Sequence, residues 1–189
     1  MTSLILALLL AVPPAKAESP AASGQLSVRL SDDEVRQRVE ALLSNIDTRN
    51  LAVRWQALGS RAADQLEPIA QSATEMPSRR IKAVAGLVLA APDRAAPLAT
   101  KLLLDETQPV AVRMAALYAV GRTVPPAAAA KSLGKVLRGA REPELRSLAA
   151  EAVTASGSSS GCAQVRAQVA REEHDFRPAY GRALAQCKE

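Results

Sequence analysis

The side chains able to do covalent or metal chemistry are few in this chain of 189 residues. Its single histidine, His174, lies in "REEHDF", a segment that reads as an exposed loop or helix start. Any Ser/His/Asp or Cys/His device, and any histidine-rich metal site, would have to share that one imidazole. No P-loop, GxGxxG fingerprint or strand-turn-helix nucleophile elbow accompanies it. "GSSSG", Gly157 to Gly161, lacks the lysine and the preceding strand of a phosphate-binding loop and reads as a flexible connection inside a helical hairpin. The carboxylate pairs Asp32-Asp33, Asp105-Glu106 and Glu172-Glu173 fall at expected helix starts or in loops, where capping and solvation are simpler roles than paired acid-base work. The sequence therefore assigns no catalytic residue, no metal ligand and no cofactor, and the expectation is a protein that is not an enzyme.

Cys162 and Cys187 are the only two cysteines, and their chemistry depends on the compartment. Residues 1–17, "MTSLILALLLAVPPAKA", have the shape of a secretory signal: an apolar run from Leu4 to Val12, a proline pair, and a small-x-small site ending at Ala17. Cleavage is expected between Ala17 and Glu18, giving a periplasmic or secreted protein; an uncleaved anchor is the alternative. The apolar run is well short of the roughly 20 residues of a spanning helix, so no stable membrane span is expected after cleavage. In an oxidising compartment Cys162 and Cys187 would pair across the last hairpin, closing a loop of about 25 residues and contributing roughly 3 kcal/mol. Two reduced thiols are the other possibility.

Composition sets the kind of scaffold that must hold these groups. The chain is 48% hydrophobic, 23% charged and only 2% aromatic. Alanine and leucine dominate, and both favour helix. Net charge is +5, with the basic excess in the middle: residues 76–140 hold ten basic and three acidic side chains. Such a surface can attract nucleic acid, anionic lipid or an acidic protein, and its plainer reading is a solvated Lys/Arg face that keeps the protein in solution. Residues 18–30 read as a flexible leader. Ser31 then opens "SDDE", a capping box with Glu34, followed by Val35, Val39, Leu42 and Ile46 on one helical face. Next, Leu51, Trp55, Leu58, Ala62, Leu66, Ile69 and Ala73 share a stripe, with Gly59 and Pro68 as break points; the expectation is a helix ending near Leu66 and a shorter one starting at Pro68.

From Ser78 onward the chain repeats. Arg80, Arg113, Arg146 and Arg177 stand 33, 33 and 31 residues apart. Three positions after each comes Ala83, Ala116, Ala149 or, less faithfully, Tyr180. Six positions after comes Gly86, Ala119, Ala152 or Ala183, and seven after comes Leu87, Val120, Val153 or Leu184. Offsets of three and seven share one helical face, and the small residue at six lets another helix come close. Each such helix is followed by a second apolar run: Ala96 to Leu104, Ala127 to Leu137, and Cys162 to Ala170. Two helices per ~33 residues describe stacked hairpins that can bury their stripes only against one another. The predicted fold over residues 31–189 is an all-α solenoid of about nine helices.

"QPVAVRMAALYAVGR" and "EPELRSLAAEAVTASG" resemble the first helices of bacterial HEAT repeats. The resemblance is good over residues 78–187 and weak over 31–77. It implies that Arg80, Arg113, Arg146 and Arg177 clamp neighbouring units and that the second helices line the concave face; it implies no activity. The tetratricopeptide repeat has a similar period, but its aromatic positions are mostly missing here. On this basis the chain is expected to be a monomeric protein-binding scaffold. Its partner would be a protein or peptide, acidic in character, on a concave face lined by Lys101, Lys131, Lys135 and Arg138. A lyase-like HEAT enzyme or accessory, or a membrane-anchored interaction protein, is the alternative. Nucleic acid is not expected as a partner, because base-stacking aromatics are lacking. Trp55 lies in an apolar stripe and reads as core. In the best-kept repeat only Tyr118 and Arg122 are left over from the stacking pattern.

Overall fold

A computed structural model of the chain describes residues 30–45, 50–155 and 159–187. The expected signal segment, the leader up to residue 29, Ile46 and Gly157 lie outside the described residues. Every regular element among the described residues is helical, as expected: α1 (Asp32–Ser44), α2 (Leu51–Leu58), α3 (Ser60–Gln71), α4 (Pro77–Ala90), α5 (Pro92–Leu104), α6 (Val110–Thr123), α7 (Pro126–Gly139), α8 (Pro143–Thr154), α9 (Ser159–Arg171), a 3-10 helix (His174–Tyr180) and α10 (Gly181–Gln186).

The helix starts follow from local chemistry. Ser31 Oγ accepts from the Glu34 amide at 3.2 Å, and the Glu34 carboxylate accepts from the Ser31 amide at 2.6 Å, which completes the expected capping box. Pro77, Pro92, Pro126 and Pro143 each open a helix, where a missing N–H is harmless and the ring fixes a helical φ.

Two expected breaks move. The chain divides at Gly59 and not at Pro68: Gly59 adopts φ 56°, a conformation that costs glycine little, and ends α2. Pro68 sits inside α3 and Pro97 inside α5, which starts before the expected Ala96. Both prolines face solvent, so the carbonyls they leave unpaired can be hydrated. On either side of them the buried residues Leu66 and Ala70, or Ala95 and Leu98, hold the helix together. "GSSSG" is also only partly a connection, since Ser159, Ser160 and Gly161 already belong to α9.

The hairpins stack in two layers. First helices α2, α4, α6 and α8 pack side by side, and second helices α3, α5, α7 and α9 form the other layer, with each second helix packed on the first helix of the next unit. The repeat positions are the seam. Ala83, Ala116, Ala149, Leu87, Val120 and Val153 are all buried. Trp55 is buried as expected, and its indole lies flat on Gly86: a Cβ there would stand 2.9 Å from Trp55 Cε2. Gly86→Val should therefore cost about 2 to 3 kcal/mol by overpacking a ring that has no room to retreat. Gly121, near the end of α6, has open space around it, so Gly121→Ala should instead gain about 0.5 to 1 kcal/mol. Denaturant unfolding of the two variants checks the contrast; equal midpoints would contradict this seam.

The repeat arginines run through the stack as a ladder. Arg80 donates from Nε to Ala70 O at 3.0 Å and from Nη2 to Gln108 Oε1. Arg113 donates from Nε to Leu103 O at 3.2 Å and from Nη1 to Glu142 Oε2 at 3.1 Å. Arg146 donates to Ala140 O at 2.8 Å and to both oxygens of Glu172. Each side chain thus reaches back to the carbonyl end of the preceding second helix and forward to an acceptor in the next connection. Asp105 prepares one rung by accepting from Gln108 Nε2 at 2.7 Å, which leaves the amide oxygen turned to Arg80. Hydrogen bonds from Thr107 and Gln108 hold the Asp105 carboxyl down to about 2. Arg177, the fourth position, keeps only the backward half, donating to Glu172 O at 3.1 Å from an exposed 3-10 turn.

The last unit departs most from the repeat. Tyr180, an imperfect match for alanine, is fully buried, and its hydroxyl donates to Glu172 Oε2 at 2.7 Å. Glu172 corrects the expectation of a solvated loop carboxylate: it is 4% exposed and also accepts from Gln168 Nε2 at 3.3 Å. The Arg146 hydrogen bond holds its carboxyl at about 2 against the opposing effect of burial. Burial and the Glu172 contact push the Tyr180 hydroxyl up to about 12. Glu173 and His174 are exposed.

Cys162 of α9 and Cys187, which ends α10, form a disulfide with Cα atoms 5.5 Å apart. It spans 25 positions and should contribute about 3 kcal/mol. Reduction should lower the melting midpoint by roughly 10 °C and raise hydrogen exchange first in α9 and α10, the two helices that the bridge ties together. An unchanged melting curve in reductant would refute this role.

Candidate partner-binding surface

The four basic residues expected to line a binding face all lie on second helices and are exposed, Lys101 on α5 and Lys131, Lys135 and Arg138 on α7. Two of them are engaged within the stack. Lys101 Nζ donates to Gln71 Oε1 of α3 at 3.3 Å, and Arg138 Nη1 donates to Gln164 Oε1 of α9 at 3.0 Å, passing over Gly134. Lys131 and Lys135 stand one turn apart with no hydrogen bond or ion pair among the described residues. This layer carries other charge links as well, such as Arg94 to Asp64 and Glu67 at 2.7 Å each. Much of its polar surface is thus spent joining neighbours.

The first-helix layer is different. A groove of about 400 Å³ runs between α4 and α6. Ile81, Val84, Ala85, Val88 and Leu89 form one wall, and Met114, Ala115, Tyr118 and Arg122 are on the other. Tyr118 is 57% exposed and Arg122 is exposed, and neither has a hydrogen-bond partner among the described residues. The wall is built by helices that are apolar on two sides. On α4 the residues Ala83, Val84 and Leu87 face the core, while Ile81, Ala85 and Val88, spaced four and three apart, form a second stripe outside it. On α6 Met114, Tyr118 and Arg122 repeat that outer stripe at spacings of four. A helix apolar all round is normally covered all round. Here one side is left open.

The third unit supplies an internal contrast. The positions that follow the repeat arginine by one and five are Ile81 and Ala85 in the first unit, Met114 and Tyr118 in the second, and Ser147 and Glu151 in the third. Glu151 forms an ion pair with Arg182 at 2.9 Å. Stacking alone therefore does not demand apolar residues on this side. The arginine ladder fixes α4 and α6 in register on either side of the groove, since Arg80 and Arg113 are each 3% exposed and doubly bonded.

Sequence reading singled out Tyr118 and Arg122 but not the α4 wall. The available signal was the second stripe, Ile81, Ala85 and Val88, set against the polar residues of the third unit.

Among the described residues there is no cluster of three His, Cys, Asp or Glu side chains placed to hold a metal ion. No described helix is long and apolar enough to cross a membrane. Comparison with known protein families, curated proteins and solved structures finds no match for this chain.

Proposed function

We propose that this chain is a non-enzymatic protein-binding scaffold of the HEAT-repeat type, acting in the periplasm or outside the cell. The observation that carries the reading is the open apolar groove between α4 and α6, on helices whose core-facing sides are buried in the stack. The Cys162–Cys187 disulfide supports an oxidising compartment. The expected acidic partner is retained, but the groove moves the favoured surface from the second-helix lysines to the first-helix layer.

Met114→Glu places a carboxylate in the half-buried wall of the groove without touching the arginine ladder. It should reduce co-purification of the native partner at least about tenfold while circular dichroism stays unchanged, since an unpaired buried charge costs well over 1.4 kcal/mol. Undiminished capture by this variant, with capture lost in Lys131→Glu/Lys135→Glu, would return the binding face to the second helices.

A further inference from the structure

We infer that the groove between α4 and α6 receives a short amphipathic helix from an acidic partner, its apolar stripe on the Met114 wall and a carboxylate on Arg122. The inference rests on the scaffold reading and names the chemistry of the partner. The shape of the site selects a helix. Both walls are helices whose backbone groups are already bonded internally, so the groove offers no edge with which an extended peptide could pair. An extended segment pressed there would leave its own amides unsatisfied against an apolar wall, whereas a helix brings its backbone already satisfied. The wall from Ala111 to Arg122 covers about 16 Å at 1.5 Å per residue, or roughly three helical turns. A space of about 400 Å³ takes several side chains of an i, i+3, i+4, i+7 stripe.

Charge selects the partner. Among the described residues Arg122 is the one charged side chain lining the groove, and no carboxylate lines it. It lies in the stretch with ten basic and three acidic side chains, so two copies meeting through this face would bring like charges together. Residues 1–29 hold two basic side chains and one acidic, Glu18, which stands between Pro14 and Pro20, so this segment does not supply an acidic helix. An acidic helix from another protein satisfies both the apolar walls and Arg122, and electrostatic complementarity would set its direction in the groove.

The test uses the full chain with its disulfide intact and two fluorescein-labelled helical peptides that share one leucine stripe. One carries glutamates at the flanks and the other lysines. Fluorescence anisotropy should show the glutamate peptide binding about tenfold or more tightly than the lysine peptide. Arg122→Glu should reverse that order, and Met114→Glu should abolish binding of both while circular dichroism stays unchanged. Equal binding of the two peptides, or an Arg122→Glu variant with unaltered preference, would overturn the inference. Binding of sodium oleate with no binding of either peptide would give the groove to a lipid and overturn it as well. Should Met114→Glu still lose the native partner while the peptides show no preference, the helix inference fails and the groove stands as the partner surface; if Met114→Glu also keeps its partner, the helix inference and the groove as partner surface both fail.

Discussion

Glu172→Ala should lower the unfolding free energy by about 3 to 5 kcal/mol, because it removes one member of a buried ion pair and leaves the other behind. Arg146 would lose both forward bonds, and the buried Tyr180 hydroxyl and Gln168 would lose an acceptor. The pH dependence follows from the same contacts. The Glu172 carboxyl falls from an ordinary 4.5 to about 2 in the folded chain. Its stabilisation is therefore complete above the unfolded value and is lost as pH falls from about 5 towards 2, a contribution of up to about 3 kcal/mol. Tyr180 is raised from 10 to about 12, so its contribution is intact below pH 10 and is lost as pH rises through that interval. Urea denaturation between pH 7 and pH 3 should show a steep acid loss for the native sequence and a much flatter one for Glu172→Ala. Parallel acid profiles would exclude Glu172 as the source.

Arg113→Met is expected to cost about 2 to 4 kcal/mol. The substitution nearly conserves the apolar stem but leaves Leu103 O without its donor and Glu142 without its cation. Arg113→Lys should recover only part of the loss, since a single ammonium cannot reach back and forward at once as the guanidinium fork does. Glu142→Ala should be milder, because the Glu142 side chain keeps about a quarter of its surface in water. A double-mutant cycle between Arg113 and Glu142 measures the forward half of the rung. A coupling energy near zero would mean that the ladder holds by its carbonyl contacts alone.

Much of this arrangement is legible before any coordinates exist. The 33-residue spacing of the arginines, with alanine three positions on and a small residue at six, specifies a stacked helix and its seam, and Ser31 with Glu34 specifies the first cap. The misplaced break at Pro68 has a general cause: proline on a solvent-facing position loses one bond to water, and burial on both sides of it outweighs that loss. Glu172 was hidden for a different reason. Its environment is made by Arg146 and Tyr180, residues 26 positions before it and eight after, and no local pattern reveals that three such groups meet in one buried site. The outer stripe of α4 and α6 lay in between. Its residues are visible in the sequence, but a helix apolar on two sides reads as core until its neighbours are known.

The groove as the partner surface is most directly tested by photo-crosslinking. With p-benzoylphenylalanine in place of Tyr118, and separately in place of Lys131, irradiation of the protein in its own compartment should give a discrete partner adduct from position 118 and none from position 131. An adduct from position 131 with none from 118 would contradict the assignment and place binding on the second helices.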